Sequence, residues 1–145
     1  MVLKKILAIL FCGMLLCTSL TVSAYAEKTS TVVESEVAPA YEIASSVMSN
    51  LSISGTTAYC KSSASGIDTV SITVEQTLQK QGFLWLWYGV DGASWIKTVN
   101  MNSISVSNTQ SGLSSGKYRL KSVFTLTDKN GKSETITVYS AEKSI

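Results

Sequence analysis

From about Val47 onward, apolar and polar residues alternate along most of the chain, the period of a pleated strand with one face in a core. Val47, Leu51 and Ile53 share one parity, with Ser52 and Ser54 between them, and Gly55 closes the run. Ala58, Cys60 and Ser62 then line one face of Thr57 to Ser62, and Ser63 to Asp68 supplies a turn. In the cleanest strand, Val70, Ile72, Val74, Gln76 and Leu78 face inward, and Thr69, Ser71, Thr73, Glu75, Thr77 and Gln79 face out. Gln81-Gly82 reads as a turn. Phe83-Leu84-Trp85-Leu86-Trp87-Tyr88 follows, apolar on both parities, as expected of a strand covered on both sides. Asp91-Gly92 signals a hairpin, with Trp95, Lys97, Val99 and Met101 alternating beyond it.

Ile104 and Val106 suggest a short strand, and Ser107 to Gly116 a loop. Tyr118, Leu120, Ser122, Phe124 and Leu126 form the inward face of a strand whose outward face carries Lys117, Arg119 and Lys121. Asn130-Gly131 predicts a type I′ turn with positive φ at both positions, and Ile136 and Val138 face inward in the last strand. A helical turn is weakly signalled around Tyr41 to Met48. About seven or eight short strands separated by turns predict an all-β fold, an antiparallel β-sandwich.

The N-terminus reads differently. Lys4 and Lys5 precede an apolar stretch from Ile6 to Leu20, and Ala24-Tyr25-Ala26 forms an A-x-A cleavage site. A signal peptide over 1–26 is expected, then a flexible arm over 27–42 holding the single proline, Pro39, then the sandwich over 43–145. The apolar stretch is short for a membrane span, which needs about 20 residues. No second span follows in the mature chain. Bulky Phe11 and Leu16 before Cys12 and Cys17 argue against lipidation. Secretion as an extracellular protein is the expected localisation.

Removing the leader simplifies the chemistry. Of three cysteines only Cys60 remains, so no intrachain disulfide can form and the core must hold the fold. Ten basic and ten acidic side chains remain, which excludes the electrostatic footprint of a nucleic-acid binder. The charges are unevenly placed. Glu27, Glu34, Glu36 and Glu42 precede a basic end with Lys117, Arg119, Lys121, Lys129 and Lys132. That split reads as a solvated surface or as docking of the arm. The chain has no histidine, which excludes Ser-His and Cys-His catalysis and His-based zinc sites. No catalytic residue, metal site or cofactor is expected. Ser94/Lys97 and Ser114/Lys117 have the Ser-x-x-Lys spacing of a helical dyad, but in a strand positions i and i+3 face opposite ways. Asp128-Lys129-Asn130-Gly131 starts like a calcium loop without its remaining ligands.

Gly116-Lys117-Tyr118-Arg119-Leu120 resembles the start of the sixth strand of an immunoglobulin-like domain, where a tyrosine hydroxyl bonds back to the backbone at a sheet corner. The resemblance implies an immunoglobulin-like sandwich with Cys60 at the first cysteine position and Leu120 in place of its partner. Tyr59-Cys60-Lys61, Thr77-Leu78-Gln79-Lys80, Leu84-Trp85, Tyr118 to Ser122 and Gly131 to Ser140 resemble a family of small secreted proteins of Gram-positive, often gut-associated, bacteria. That family has no assigned activity, so the resemblance implies compartment and fold and lends no catalytic residues.

One feature carries functional promise. Phe83, Trp85 and Trp87 share a parity and Trp95 lies across the expected hairpin, a candidate binding surface. One face of this strand belongs in the core; the other packs under the arm or grips a partner. The expected function is a secreted, non-enzymatic binding or adhesion-type module for an extracellular protein or glycan. A structural domain that self-associates weakly through the aromatic strand is the alternative, and an enzyme ranks third.

Overall fold

The computed structural model describes residues 40–145, within the second of the chain's two units, Ala38–Ile145. The expected signal peptide, its cleavage residues Ala24 and Ala26, and the arm up to residue 39 lie outside the described residues. The described residues form an all-β sandwich of antiparallel sheets. Strands β1 (Ala44–Ser54), β2 (Thr57–Gly66) and β5 (Ser103–Gln110) make a three-stranded sheet in the order β1-β2-β5. Strands β3 (Thr69–Gln81), β4 (Trp87–Val99), β6 (Lys117–Asp128) and β7 (Ser133–Tyr139) make the other in the order β4-β3-β6-β7. The two-residue β8 (Lys143–Ser144) pairs with the start of β6.

The alternation explains the layers. Ile72, Val74, Gln76 and Leu78 on β3 and Tyr118, Leu120, Ser122, Phe124 and Leu126 on β6 are all buried, pointing at Ala58, Cys60, Ser62 and Ala64 of β2. Small residues on β2 opposite large ones on β3 and β6 let the sheets approach closely. The interior is two apolar clusters. One gathers Ile72, Val74, Phe124 and Leu126 with Ala64, Ile104 and Val106, the other Leu78, Tyr118 and Leu120 with Leu51, Ala58 and Cys60.

Several expectations are corrected. The strand predicted for Phe83–Tyr88 does not exist: β3 ends at Gln81, a 3-10 turn occupies Phe83–Trp85, and β4 begins at Trp87. Leu84 and Trp85 have φ of 55° and 58°, so the chain reverses there. Asp91-Gly92 is no hairpin but part of a bulge inside β4, where Thr77 pairs with Ser94 and Gln79 already pairs with Gly89. Tyr41 to Met48 is not helical; Ala44 onward belongs to β1, which pairs with β2. Strand β5 runs to Gln110, shortening the loop expected over Ser107–Gly116.

At the β6–β7 connection only Gly131 has positive φ, 81°, so the turn is not type I′. Asp128 N–H donates to Lys132 O and Gly131 N–H to Asp128 O, a three-residue loop built on an ordinary turn and closed by the left-handed glycine. Val70 is 47% exposed, because an irregularity between Thr69 and Ser71 turns Thr69 inward instead. Thr69 Oγ1 consequently has no hydrogen-bond partner among the described residues.

Candidate functional site

Local structure sets the aromatic segment apart. A reversal between β3 and β4 takes the apolar run out of the sheet. Phe83, Leu84, Trp85 and Leu86 are 82%, 62%, 77% and 54% exposed. Gly82 N–H donates to Leu86 O at 2.8 Å and Leu86 N–H to Phe83 O at 3.3 Å, which closes the turn beneath the exposed side chains. Left-handed backbone costs a non-glycine residue roughly 1–2 kcal/mol. Two consecutive bulky residues carry that cost here, without burial to offset it.

The four expected surface residues do not share one surface. Phe83 and Trp85 stand on the turn. Trp87 pairs with Gln81 and faces outward from the five-stranded sheet, where the Arg119 guanidinium lies 4.3 Å from its ring centroid and 4.1 Å from that of Tyr139. Arg119 Nε also donates to Gln79 Oε1 at 2.8 Å. This aromatic–guanidinium–aromatic stack holds the base of the turn to the sheet. Trp95 pairs with the inward Gln76 and packs, half-buried, against the second apolar cluster. Its role is packing.

The sheet corner follows the sequence closely. Tyr118 Oη donates to Ser114 O at 2.6 Å, and Cys60 and Leu120 meet in one apolar cluster. Burial pushes the Cys60 thiol up to about 11, so the thiolate is scarce. Neither Ser-x-x-Lys pair comes together on one face of a strand: Ser94 pairs with outward Thr77, and Lys97 with inward Val74. Ser114 instead accepts a hydrogen bond from Lys80 Nζ at 2.6 Å. Nothing in the local pattern links those two residues, one near the end of β3 and the other in the loop before β6. The charge split reads as a solvated surface or as docking of the arm; among the described residues Lys132 Nζ lies 2.7 Å from Glu42 Oε2, with both side chains more than half exposed.

No protein-family model and no curated protein matches the chain. Crystal structures of OgpA from Akkermansia muciniphila are similar to it. The wild-type protein in P 41 21 2 shares 15% identity and a TM-score of 0.39, covering 71% of this chain and 32% of that one. In P 21 21 21 the values are 14% and 0.38, covering 72% and 31%. The catalytically inactive protein, in complex with an O-glycopeptide (glycodrosocin) substrate, has 15% and 0.37, covering 72% and 32%. The chain thus spans about a third of the length of these OgpA chains.

Proposed function

We propose that the chain is secreted and that its mature product is a non-enzymatic, immunoglobulin-like binding module. It would grip an extracellular protein or glycan through the turn between β3 and β4. The observation that carries this reading is the display of Phe83, Leu84, Trp85 and Leu86 on strained backbone at the tip of an otherwise well-packed sandwich. Contiguous exposed apolar side chains mark interaction sites. Indole and phenyl rings supply large contact area at small entropic cost, against a protein pocket or the face of a sugar ring. The order β1-β2-β5 over β4-β3-β6-β7, together with the bond from Tyr118 to Ser114 O, supports the immunoglobulin-like reading. Lys4, Lys5, the apolar stretch to Leu20 and Ala24-Tyr25-Ala26 support export.

A second reading is self-association. Strand β4 is an edge of its sheet and carries Ile96 exposed on its outer side, so a second copy could extend the sheet there. Two variants separate the readings. With Phe83→Ala/Trp85→Ala, capture of extracellular proteins or immobilised glycans should be lost while the melting curve is unchanged. A concentration-dependent dimer in light scattering that Ile96→Lys dissolves, and that the turn variant leaves intact, would favour self-association. Unimpaired capture by the turn variant would end the binding reading.

A further inference from the structure

Behind the turn, at the same end of the sandwich, a cavity of about 330 Å³ opens between the end of β3, the start of β4, the loop before β6, and Tyr118. Carbon dominates its walls, with Tyr88, Val90, Leu113 and the Tyr118 ring among them. One cation reaches it. Lys80 Nζ donates to Ser114 Oγ and lies 5.6 Å from the centroid of the Tyr118 ring. Lys117, Lys129 and Lys132 each pair with a carboxylate, on Glu142, Asp68 and Glu42 respectively. Lys80 has no such partner among the described residues. An ammonium has three donors, and Ser114 takes one.

Two glycines shape this site. At Gly116, with φ of 153°, a Cβ would stand 2.5 Å from Lys80 Cε, so any other residue would push the lysine stem off its present path across the backbone. At Gly82 a Cβ would stand 2.8 Å from two ring carbons of Tyr88. Each glycine therefore admits one wall of the cavity. The bond to Ser114 and the contact with the Tyr118 ring place the cation at the cavity before any ligand arrives, which lowers the entropic cost of binding.

We propose that this cavity binds a small ligand carrying a carboxylate on a ring-sized apolar body. The carboxylate accepts charge-assisted hydrogen bonds from Lys80, and Ser114, whose Oγ already accepts from Lys80, donates its own proton to the same group. The apolar body lies between Tyr88, Val90 and Leu113 and displaces water from carbon. The volume lies at the small end of ligand pockets, enough for one ring and a short arm. The same chemistry is offered by a free aryl acid and by the C-terminal carboxylate of a peptide that ends in an aromatic residue. Phe83 and Trp85 do not line the cavity, so this site is separable from the exposed turn.

The test is titration of the purified chain with phenylacetate, N-acetylphenylalanine and the neutral phenylacetamide, followed by backbone amide NMR. Both acids should shift the Tyr88, Leu113 and Ser114 amides, and the amide should bind about tenfold more weakly or worse. Tighter binding of N-acetylphenylalanine than of phenylacetate assigns the site to peptide C-termini; the reverse assigns it to free acids. Lys80→Met, which keeps an apolar stem, should weaken the acids about tenfold and leave phenylacetamide unaffected. Trp85→Ala should bind the acids as the parent does, whatever it does to partner capture. The proposal is overturned if neither acid shifts these amides by about 10 mM. Equal binding of acid and amide, or undiminished acid binding by a folded Lys80→Met, also overturns it.

Discussion

Gln76 Nε2 donates to Ser62 Oγ at 2.6 Å, joining the two sheets through fully buried polar atoms. The bond belongs to a chain. Ser62 Oγ meets Ser122 Oγ at 2.7 Å, Ser122 Oγ meets Ser49 Oγ at 2.8 Å, and Asn108 Nδ2 donates to Gln76 Oε1 at 2.7 Å. Five strands contribute to this belt, which runs between the two apolar clusters. Its members occupy equivalent inward positions. Gln76 falls between Val74 and Leu78, Ser122 between Leu120 and Phe124, and Ser62 between Cys60 and Ala64. A connected polar layer of this kind penalises slipped pairings, because a shifted strand would bury an amide or hydroxyl without its partner.

Gln76→Leu should therefore destabilise the domain by about 2 kcal/mol despite the apolar gain, because Asn108 and Ser62 lose a partner in the interior. Urea unfolding measures it. Ser122→Ala added to Gln76→Leu should cost less than Ser122→Ala alone, since the network is already broken. Strict additivity would show that the belt does not act as a unit.

Acid should weaken the fold through Glu134. Desolvation pushes its carboxyl up, but the backbone N–H groups of Ile43, Ala44 and Glu42, with Lys132 nearby, outweigh that and hold it below its ordinary 4.5. Donor distances of 2.9 to 3.1 Å show the carboxylate fastening the start of β1 to β7. A depressed folded value means that the stabilisation is complete above about 4.5 and is lost as pH falls through the lower folded value. Glu134→Gln should flatten this part of the pH–stability profile. A residual slope should remain from Asp128, whose exposed carboxyl is also lowered: its desolvation is outweighed by the N–H groups of Lys132 and Asn130.

Cys60 should resist thiol reagents in the native chain. It is buried, and its thiol is pushed up to about 11 by that burial. Labelling by an uncharged aromatic disulfide at mildly alkaline pH should track global unfolding, and accelerate with denaturant as the unfolded fraction rises. Fast labelling without denaturant would mean that the second apolar cluster opens locally.

Relief of the turn should be measurable. Leu84 holds φ of 55° while exposed, so Leu84→Gly removes strain and little packing. Thermal unfolding should show a gain of about 1 kcal/mol. Partner capture should fall at the same time, because one of the displayed side chains is gone. A loss of stability would mean that Leu84 packs in a way its exposure does not show.

Much of this architecture can be read from parity alone. Ile72, Val74, Leu78, Leu120, Phe124 and Leu126 are buried as the alternation expects, because in a strand the face of a residue follows from its position in a two-residue count. The resemblance at Gly116 to Leu120 implies a bond from the Tyr118 hydroxyl to the backbone but not its acceptor, which is Ser114 O. Parity fails where the backbone leaves the pleat. The irregularity at Thr69 sends Val70 to solvent, and the bulge over Val90 to Ala93 hides a continuous β4 behind what reads as a hairpin.

The exposed turn and the cavity lie further from reach. Phe83-Leu84-Trp85-Leu86 has the same hydropathy whether it is buried in a sheet or held in water, and only the left-handed backbone at Leu84 and Trp85 separates the two outcomes. Lys80 and Ser114 stand 34 positions apart and meet only because the end of β3 lies beside the start of β6. Local alternation thus settles which side chains enter the interior, since each strand carries its own inside and outside. Which groups meet at the end of the sandwich depends on sheet pairing across long stretches of chain, and no short window of residues contains that information.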